Sequence, residues 1–274
     1  MQKFLLAVAQ MCSTNDIENN FRVVEQLCKE ASQRGASVVC FPENFAFLGH
    51  FQDATRMAEP LTGPLFSRYA TLASTYGLEI SFGGFQEKAP ENRVYNAHVY
   101  VNNEGEIGAI YRKIHLFVVN INDETSFNEA AHVVPGNDVV VAQSQVGMLG
   151  LSICYDLRFA ELYGALRKRE SEVLLVPAAF TAETGKAHWE VLLRARAIEN
   201  QCYVAAAAQY GTHYKGRVTH GHAMIVDPWG TIVAQCSDQQ GLAIAEIDLD
   251  YLHRLRQSMP MHAHRRSDIF EDKQ

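Results

Sequence analysis

Residues 4–43 read FLLAVAQMCSTNDIENNFRVVEQLCKEASQRGASVVCFPE, and their pattern sets the fold class. The apolar run Phe4–Ala9, within the strand-like segment Phe4–Met11, is followed by Gln10 and then polar residues. It is too short for a membrane span or the apolar part of a secretory leader, so a β-strand is predicted. Next, Ile17, Phe21, Val24, Cys28 and Ala31 fall at i, i+4, i+7, i+11 and i+14, one face of an amphipathic helix that Gly35 closes. Residues 37–41 are again short and apolar, and Pro42 stops the ladder, leaving Glu43 at the C-terminal edge of the strand. Strand, helix and strand in succession indicate an α/β fold.

The same succession recurs around residues 148–177. Further strand-like segments are 79–85, 97–101, 139–143, 148–153, 173–177, 203–209, 223–226, 231–235 and 242–247, and helical patterns cover 63–76, 157–168 and 188–200. Hairpin signals at Asn103-Glu104-Gly105 and Asp227-Pro228-Trp229-Gly230 call for antiparallel pairs as well, hence mixed sheets. Helices from both halves need a sheet face to cover and no linker separates the halves. A single domain over 1–274 is therefore predicted, with two packed sheets under outer helices and a C-terminal tail from about residue 261.

Of the 274 residues, 47% are hydrophobic and 20% charged, a globular balance that excludes disorder as the main state. Asp and Glu (31) outnumber Lys and Arg (24), for a net charge of −7 with no long basic run, which argues against nucleic acid as a partner. No stretch approaches a membrane span. The six cysteines form no CxxC pair, and several sit in apolar strand-like or helix-like surroundings, as reduced thiols do, so a cytoplasmic location is expected.

Three residues carry the candidate chemistry. Cys154 follows the strand-like Leu149-Gly150-Leu151-Ser152-Ile153 and precedes a helix beginning near Asp156, where unpaired N–H groups would favour a thiolate. By itself it reads equally as a small buried hydrophobe. Glu43 and Lys113 each sit at a strand-to-loop transition and, singly, read as surface charges. Together, however, a thiol, a carboxylate and an ammonium at successive strand ends make a nucleophile, a base and an oxyanion donor. The scattered His213, His220, His222, His262 and His264 match no zinc spacing and read as turn and surface residues.

The segments Phe41-Pro42-Glu43-Asn44, Tyr111-Arg112-Lys113-Ile114-His115-Leu116-Phe117 and Ser152-Ile153-Cys154-Tyr155-Asp156-Leu157-Arg158-Phe159 resemble, in order and spacing, the three catalytic blocks of the nitrilase (carbon–nitrogen hydrolase) superfamily. The resemblance runs from about Leu5 to Asp268. It implies a four-layer αββα sandwich and a Glu-Lys-Cys triad at Glu43, Lys113 and Cys154, with Glu129, ahead of Pro135-Gly136, orienting Lys113 or the substrate. Amide hydrolysis through a thioester follows, without metal or organic cofactor. The resemblance further implies oxyanion or substrate contacts from Tyr155, Phe180, Lys186 and Gln209, the last on a loop with Tyr210, His213 and Tyr214 expected to border the cleft. Val118 and Lys186 replace the family's usual Asp and Pro, leaving the triad intact.

Residues 184–209, with Gly221-His222 and Asp227-Pro228-Trp229-Gly230, look most like the deaminated glutathione amidase branch of the superfamily, whose members resemble metabolite-repair enzymes. The alternatives are an ω-amidase acting on α-ketoglutaramate and an aliphatic nitrilase. A non-catalytic interaction protein has no need of all three triad residues, and a thiol peroxidase would lack a nearby resolving cysteine. A small-molecule amide is the expected partner. The family's packing also implies a homodimer or higher homo-oligomer, for which the apolar Tyr163, Leu166, Trp189 and Leu193 are the expected contacts.

Overall fold

A computed structural model describes residues 4–122 and 125–270; the outermost residues of the 1–274 span, 1–3 and 271–274, lie outside the described residues. In chain order the first half contains β1 (Phe4–Met11), α1 (Ile17–Gln33), β2 (Ala36–Phe41), α2 (Phe51–Met57), α3 (Pro64–Tyr76), β3 (Glu79–Lys88), β4 (Val94–Val101), β5 (Ile107–Arg112), β6 (Val118–Asn122) and β7 (Thr125–Asn128). There follow β8 (Val141–Ser144), β9 (Gly147–Leu151), α4 (Ala160–Lys168), β10 (Val173–Leu175), α5 (Ala182–Asn200), β11 (Tyr203–Ala206), β12 (Ala208–Thr212), β13 (Val218–His220), β14 (Met224–Val226), β15 (Ile232–Gln235), β16 (Gly241–Ile247), α6 (Leu249–Ser258) and α7 (Ser267–Phe270).

The first sheet runs β13-β12-β1-β2-β3-β4-β5, with β16 also pairing β1, and the second runs β15-β14-β11-β10-β9-β8. Both are mixed: β1, β2 and β3 are parallel while β3, β4 and β5 alternate, and β9, β10 and β11 are parallel while β14 and β15 reverse. The period-2 geometry of a strand sorts each first-sheet residue between two cores. Leu6, Val8, Val38 and Cys40 point to the second sheet. Ala7, Ala9, Met11, Val39 and Phe41 point outward to α1 and α3, meeting Val24, Leu27, Cys28, Phe66 and Tyr69. Across the second sheet, Leu162, Tyr163 and Leu166 of α4 and Trp189, Leu193 and Ala197 of α5 close the core. The architecture is thus a four-layer αββα sandwich, as predicted.

Three predicted elements differ. The segment 203–209 is two strands in two sheets: β11 belongs to the second, and the chain crosses at Ala207 so that β12 joins β1 in the first. Small side chains permit the crossing, because Ala178 donates its N–H to the Ala207 carbonyl while Gln209 donates to that of Ala178, pinning both sheets to one segment. The helix expected over 157–168 is divided at Phe159, where an extended backbone separates a short 3₁₀ turn, Cys154–Arg158, from α4. Finally, Tyr163, Leu166, Trp189 and Leu193 are fully enclosed within the chain, at most 1% exposed, so they pack the core and offer no surface to a second subunit.

The two sheets meet closely at Gly83-Gly84, where β3 bulges against β4. A Cβ on Gly83 would lie 2.0 Å from Pro177, and one on Gly84 would lie 2.8 Å from the Glu43 side chain and 2.9 Å from Asn96 Oδ1. Glycine here is a steric condition for bringing the end of β2 against the segment that follows β10.

Candidate active site

Glu43 follows β2, Lys113 follows β5, Cys154 follows β9 and Ala179 follows β10. Ends of parallel strands on facing sheets open onto one cleft, the usual place for a site in α/β folds. A cavity open to solvent is lined by Glu43, Lys113, Glu129 and Cys154 on its floor.

On that floor Lys113 Nζ lies 2.9 Å from Glu43 Oε1 and 3.0 Å from Glu129 Oε2, all three side chains being nearly inaccessible. Asn96 Nδ2 donates to both carboxylates, at 2.9 Å to Glu43 and 3.2 Å to Glu129. Glu43 Oε2 accepts the Ala179 N–H at 3.1 Å, and the Cys154 thiol donates to the same carboxylate. Glu129 accepts the Phe117 N–H at 2.7 Å, tying it to the loop that follows Lys113. A buried ammonium between two carboxylates is tolerated because nearly every polar atom has a partner.

The electrostatics follow from burial and from these partners. Burial pushes the Glu43 carboxyl up, but the Lys113 charge and the hydrogen bonds from Lys113, Cys154 and Asn96 outweigh it, leaving the group below its ordinary range and ionised. For Lys113 burial acts downward, yet Glu129, Glu43 and Cys154 hold the ammonium well above the usual lysine value. The Cys154 thiol is pushed well up by burial and by Glu43, against the opposing pull of Lys113 and the Ala179 N–H. Here the sequence-based expectation of a helix-stabilised thiolate is corrected. Cys154 opens only a short 3₁₀ turn, and burial together with the carboxylate beside the sulfur keeps the thiol protonated.

Cys154 itself has φ +47°, a left-handed backbone that non-glycine residues adopt at a cost of order 1–3 kcal/mol. The strain is held by two anchors. The Cys154 N–H donates to the Pro177 carbonyl at 2.9 Å. Asp156 accepts the Ile153 N–H at 2.8 Å and also takes the Tyr111 hydroxyl at 2.7 Å and the His115 N–H at 3.1 Å, so the turn carrying Cys154 is clamped to the segment carrying Lys113. Deeper still, His98 bridges the sheets between the Ser152 carbonyl (2.9 Å) and Ser81 Oγ (2.6 Å), and burial keeps it neutral, its pKa lowered to about 4.

Among the residues expected at the site, Tyr155 and Phe180 line the cavity with Cys154. Lys186 does not: it stands exposed on α5, outside the wall. Gln209 is also displaced from the expected role, being fully buried behind the floor, where its Nε2 donates to the Glu43 carbonyl at 3.0 Å and to Ser13 Oγ at 2.7 Å. Tyr210 and His213 lie outside the wall as well; His213 bonds the Ser13 carbonyl and Thr219, whereas Tyr214 reaches the cavity. Val118 is 44% exposed and away from the lining.

Sequence reading missed Asn96, Arg158, Thr184 and Arg217, all of which line the cavity. Asn96 left a readable trace: with His98 it places two polar residues on one face of an otherwise apolar strand, where asparagine is disfavoured. Arg158 lies over Phe180 at 5.3 Å and contacts His188. Among the described residues no group of three His, Cys, Asp or Glu side chains is placed to hold a metal ion, and no helix is long and apolar enough to cross a membrane.

The carbon–nitrogen hydrolase family pattern matches residues 5–257. The chain belongs to the carbon–nitrogen hydrolase family. It is 47% identical over 272 residues to the deaminated glutathione amidase of Bos taurus, covering 97% of this chain and 83% of that one. It is 45% identical to the deaminated glutathione amidase of Synechocystis sp. PCC 6803, covering 97% and 99%. The crystal structure of the C. elegans NitFhit protein superposes with a TM-score of 0.93 at 41% identity, over 98% of this chain and 66% of that longer one. As a family member the chain is a hydrolase of carbon–nitrogen bonds other than peptide bonds.

Proposed function

We propose that the chain hydrolyses deaminated glutathione, with Cys154 as nucleophile, Glu43 as proton carrier and Lys113 as oxyanion donor. The observation that carries this reading is the contact set on the cavity floor: one carboxylate oxygen pair meets the thiol, the ammonium and the Ala179 N–H together. With the thiol protonated at rest, its proton passes to Glu43 as sulfur attacks the amide carbon, so negative charge moves from the Glu43 carboxylate to the carbonyl oxygen without a free thiolate accumulating. That oxyanion is held by Lys113 Nζ and the Tyr155 N–H. Collapse breaks the C–N bond, and Glu43 returns the proton to the departing amine. Glu43 then deprotonates the water that cleaves the thioester, which releases the acid and restores the thiol. Glu129 and Asn96 act as positioning residues: they hold Lys113 and Glu43 in place.

The substrate reading rests on the relatives named above and on the charge of the cavity wall. Deaminated glutathione carries a carboxylate at each end, and the guanidinium groups of Arg158 and Arg217 line the wall. Side-by-side turnover is the test. We expect kcat/KM for deaminated glutathione to exceed that for α-ketoglutaramate about ten-fold or more, since a second carboxylate contact is worth roughly 1.5–3 kcal/mol. Equal or reversed values favour the ω-amidase reading.

A homodimer belongs to the same proposal. Its surface is not the buried quartet but the outer face of α5 with the β14–β15 turn, where Val191 (67% exposed), Trp229 (60%), Ile198 and Val233 stand in solvent. The patch is continuous, because Arg194 of α5 bonds the Gly230 carbonyl at 2.8 Å.

A further inference from the structure

We infer that Arg217 selects substrates whose leaving amine ends in a carboxylate, by holding that carboxylate at the open end of the cavity. The inference rests on the amidase reading above and adds the residue that separates long substrates from short ones.

Two guanidinium groups line the cavity. Arg158 is on the same 3₁₀ turn as Cys154 and against Phe180. The turn between β12 and β13 contributes Tyr214 and Arg217 to the wall, beside Phe51 of α2, and His50 packs on the Tyr214 ring. Here the cavity continues outward. Phe51 and Tyr214 also line a second, more open concavity, together with His50, Gln52, Asn128, Ala131 and His132. A substrate bound with its acyl part near Cys154 has this exit open to a bulky leaving group.

Arg217 is fixed at that exit by its backbone. Its N–H donates to the Tyr214 carbonyl at 3.1 Å and its carbonyl accepts the His213 N–H at 2.8 Å, so the two lining residues, Tyr214 and Arg217, belong to one tight turn. His213 beneath them is buried and bonded to both Ser13 and Thr219, which anchors the turn to the end of β1. A half-buried guanidinium on a braced turn is suited to a charge-assisted, bidentate contact with a carboxylate. The short substrate α-ketoglutaramate releases only ammonia, and that leaving group has no carboxylate to reach it.

The experiment compares wild type, Arg217→Gln and Arg217→Lys on deaminated glutathione, on its glycine-amidated analogue and on α-ketoglutaramate, with circular dichroism to verify folding. Arg217→Gln should raise KM for deaminated glutathione about 10- to 100-fold with little change in kcat, and leave α-ketoglutaramate unaffected. Arg217→Lys should recover part of the loss. Wild type acting on the glycine-amidated analogue should behave as Arg217→Gln does on the parent compound, and the variant should show no further loss on that analogue. Losses of equal size on all three substrates, or none on deaminated glutathione, overturn the assignment and leave the amidase reading intact. A wild type that turns over α-ketoglutaramate but not deaminated glutathione overturns both.

Discussion

The floor and the rim of the cavity are built by different rules. On the floor, Glu43, Lys113, Glu129 and Asn96 are each under 8% exposed and hold one another by direct hydrogen bonds, so a change at any one removes a partner from the rest. At the rim, Tyr214, Arg217, Phe51 and Arg158 are half-buried and come from the β12–β13 turn, α2 and the 3₁₀ turn of Cys154. The difference teaches that the chemistry depends on a coupled network, whereas selectivity is set by side chains that can change one at a time. Each substitution below tests whether an effect belongs to the network or to a single contact.

The largest effect is expected at the nucleophile. Cys154→Ala should abolish amidase activity while retaining the folded circular-dichroism spectrum, since a methyl group fits where the thiol was. Cys202→Ala removes a thiol that burial holds inert, its pKa pushed up to about 11, and should keep most activity. Amide turnover by Cys154→Ala at the wild-type rate would refute the thioester mechanism.

Glu43→Gln keeps the shape but removes the proton carrier, and kcat should fall by about 10²–10⁴. The same substitution has an opposite consequence at sulfur. Glu43 raises the Cys154 pKa while Lys113 lowers it, so the variant should alkylate with iodoacetamide at a lower pH midpoint than wild type. The wild-type midpoint itself should lie above the ordinary thiol value of about 8.5. A merely structural role for Glu43 would lower activity without moving that midpoint downward.

Lys113→Met removes the cation between two buried carboxylates. It should lower kcat by at least the ~10²–10³ seen for one oxyanion donor, and unfolding in urea at pH 7 should show a loss of about 3–5 kcal/mol. The sign of the pH dependence follows from the shifts. Glu43, held below its unfolded value, stabilises the fold above that value and loses its contribution as pH falls through the folded pKa. Lys113, held above its unfolded value, stabilises the fold below that value and loses its contribution as pH rises through the folded pKa. The cluster's contribution is therefore fully present at neutral pH, and the stability gap between wild type and Lys113→Met should narrow in acid.

The same contrast explains what could be read from the chain. Glu43, Lys113 and Cys154 are legible because each ends a strand whose apolar run, stop signal and neighbouring motif are local in sequence. The alternation that buries Leu6 and Val8 on one face and Ala7 and Ala9 on the other likewise displays the layered fold. Tertiary placement decided the rest. Gln209 ends an apolar run, which reads as a loop at the cleft, but the crossing at Ala207 carries it behind the floor. The thiolate expectation failed because burial between the sheets, and then the charge of Glu43 on the other sheet, raise the Cys154 pKa. Arg217 carried no local signal, since only folding of the β12–β13 turn over the cavity brings it to the rim.

The smallest effect is expected where the chain departs from its family's usual residues. Val118 and Lys186 stand on the surface, on neither the floor nor the rim, Val118 on β6 and Lys186 on an exposed position of α5. A charge that is solvated and screened contributes little to a reaction in a buried cleft. Lys186→Ala should therefore leave kcat/KM for both deaminated glutathione and α-ketoglutaramate within about two-fold of wild type, because alanine suits a helix interior and removes only an exposed cation. Val118→Asp should be similarly silent, as its side chain meets solvent rather than the cavity. If Lys186→Ala instead weakened deaminated glutathione alone, in the pattern expected of Arg217→Gln, the boundary between rim and outer surface would lie farther along α5, and the rim's selectivity would involve a longer-range field than direct contact supplies.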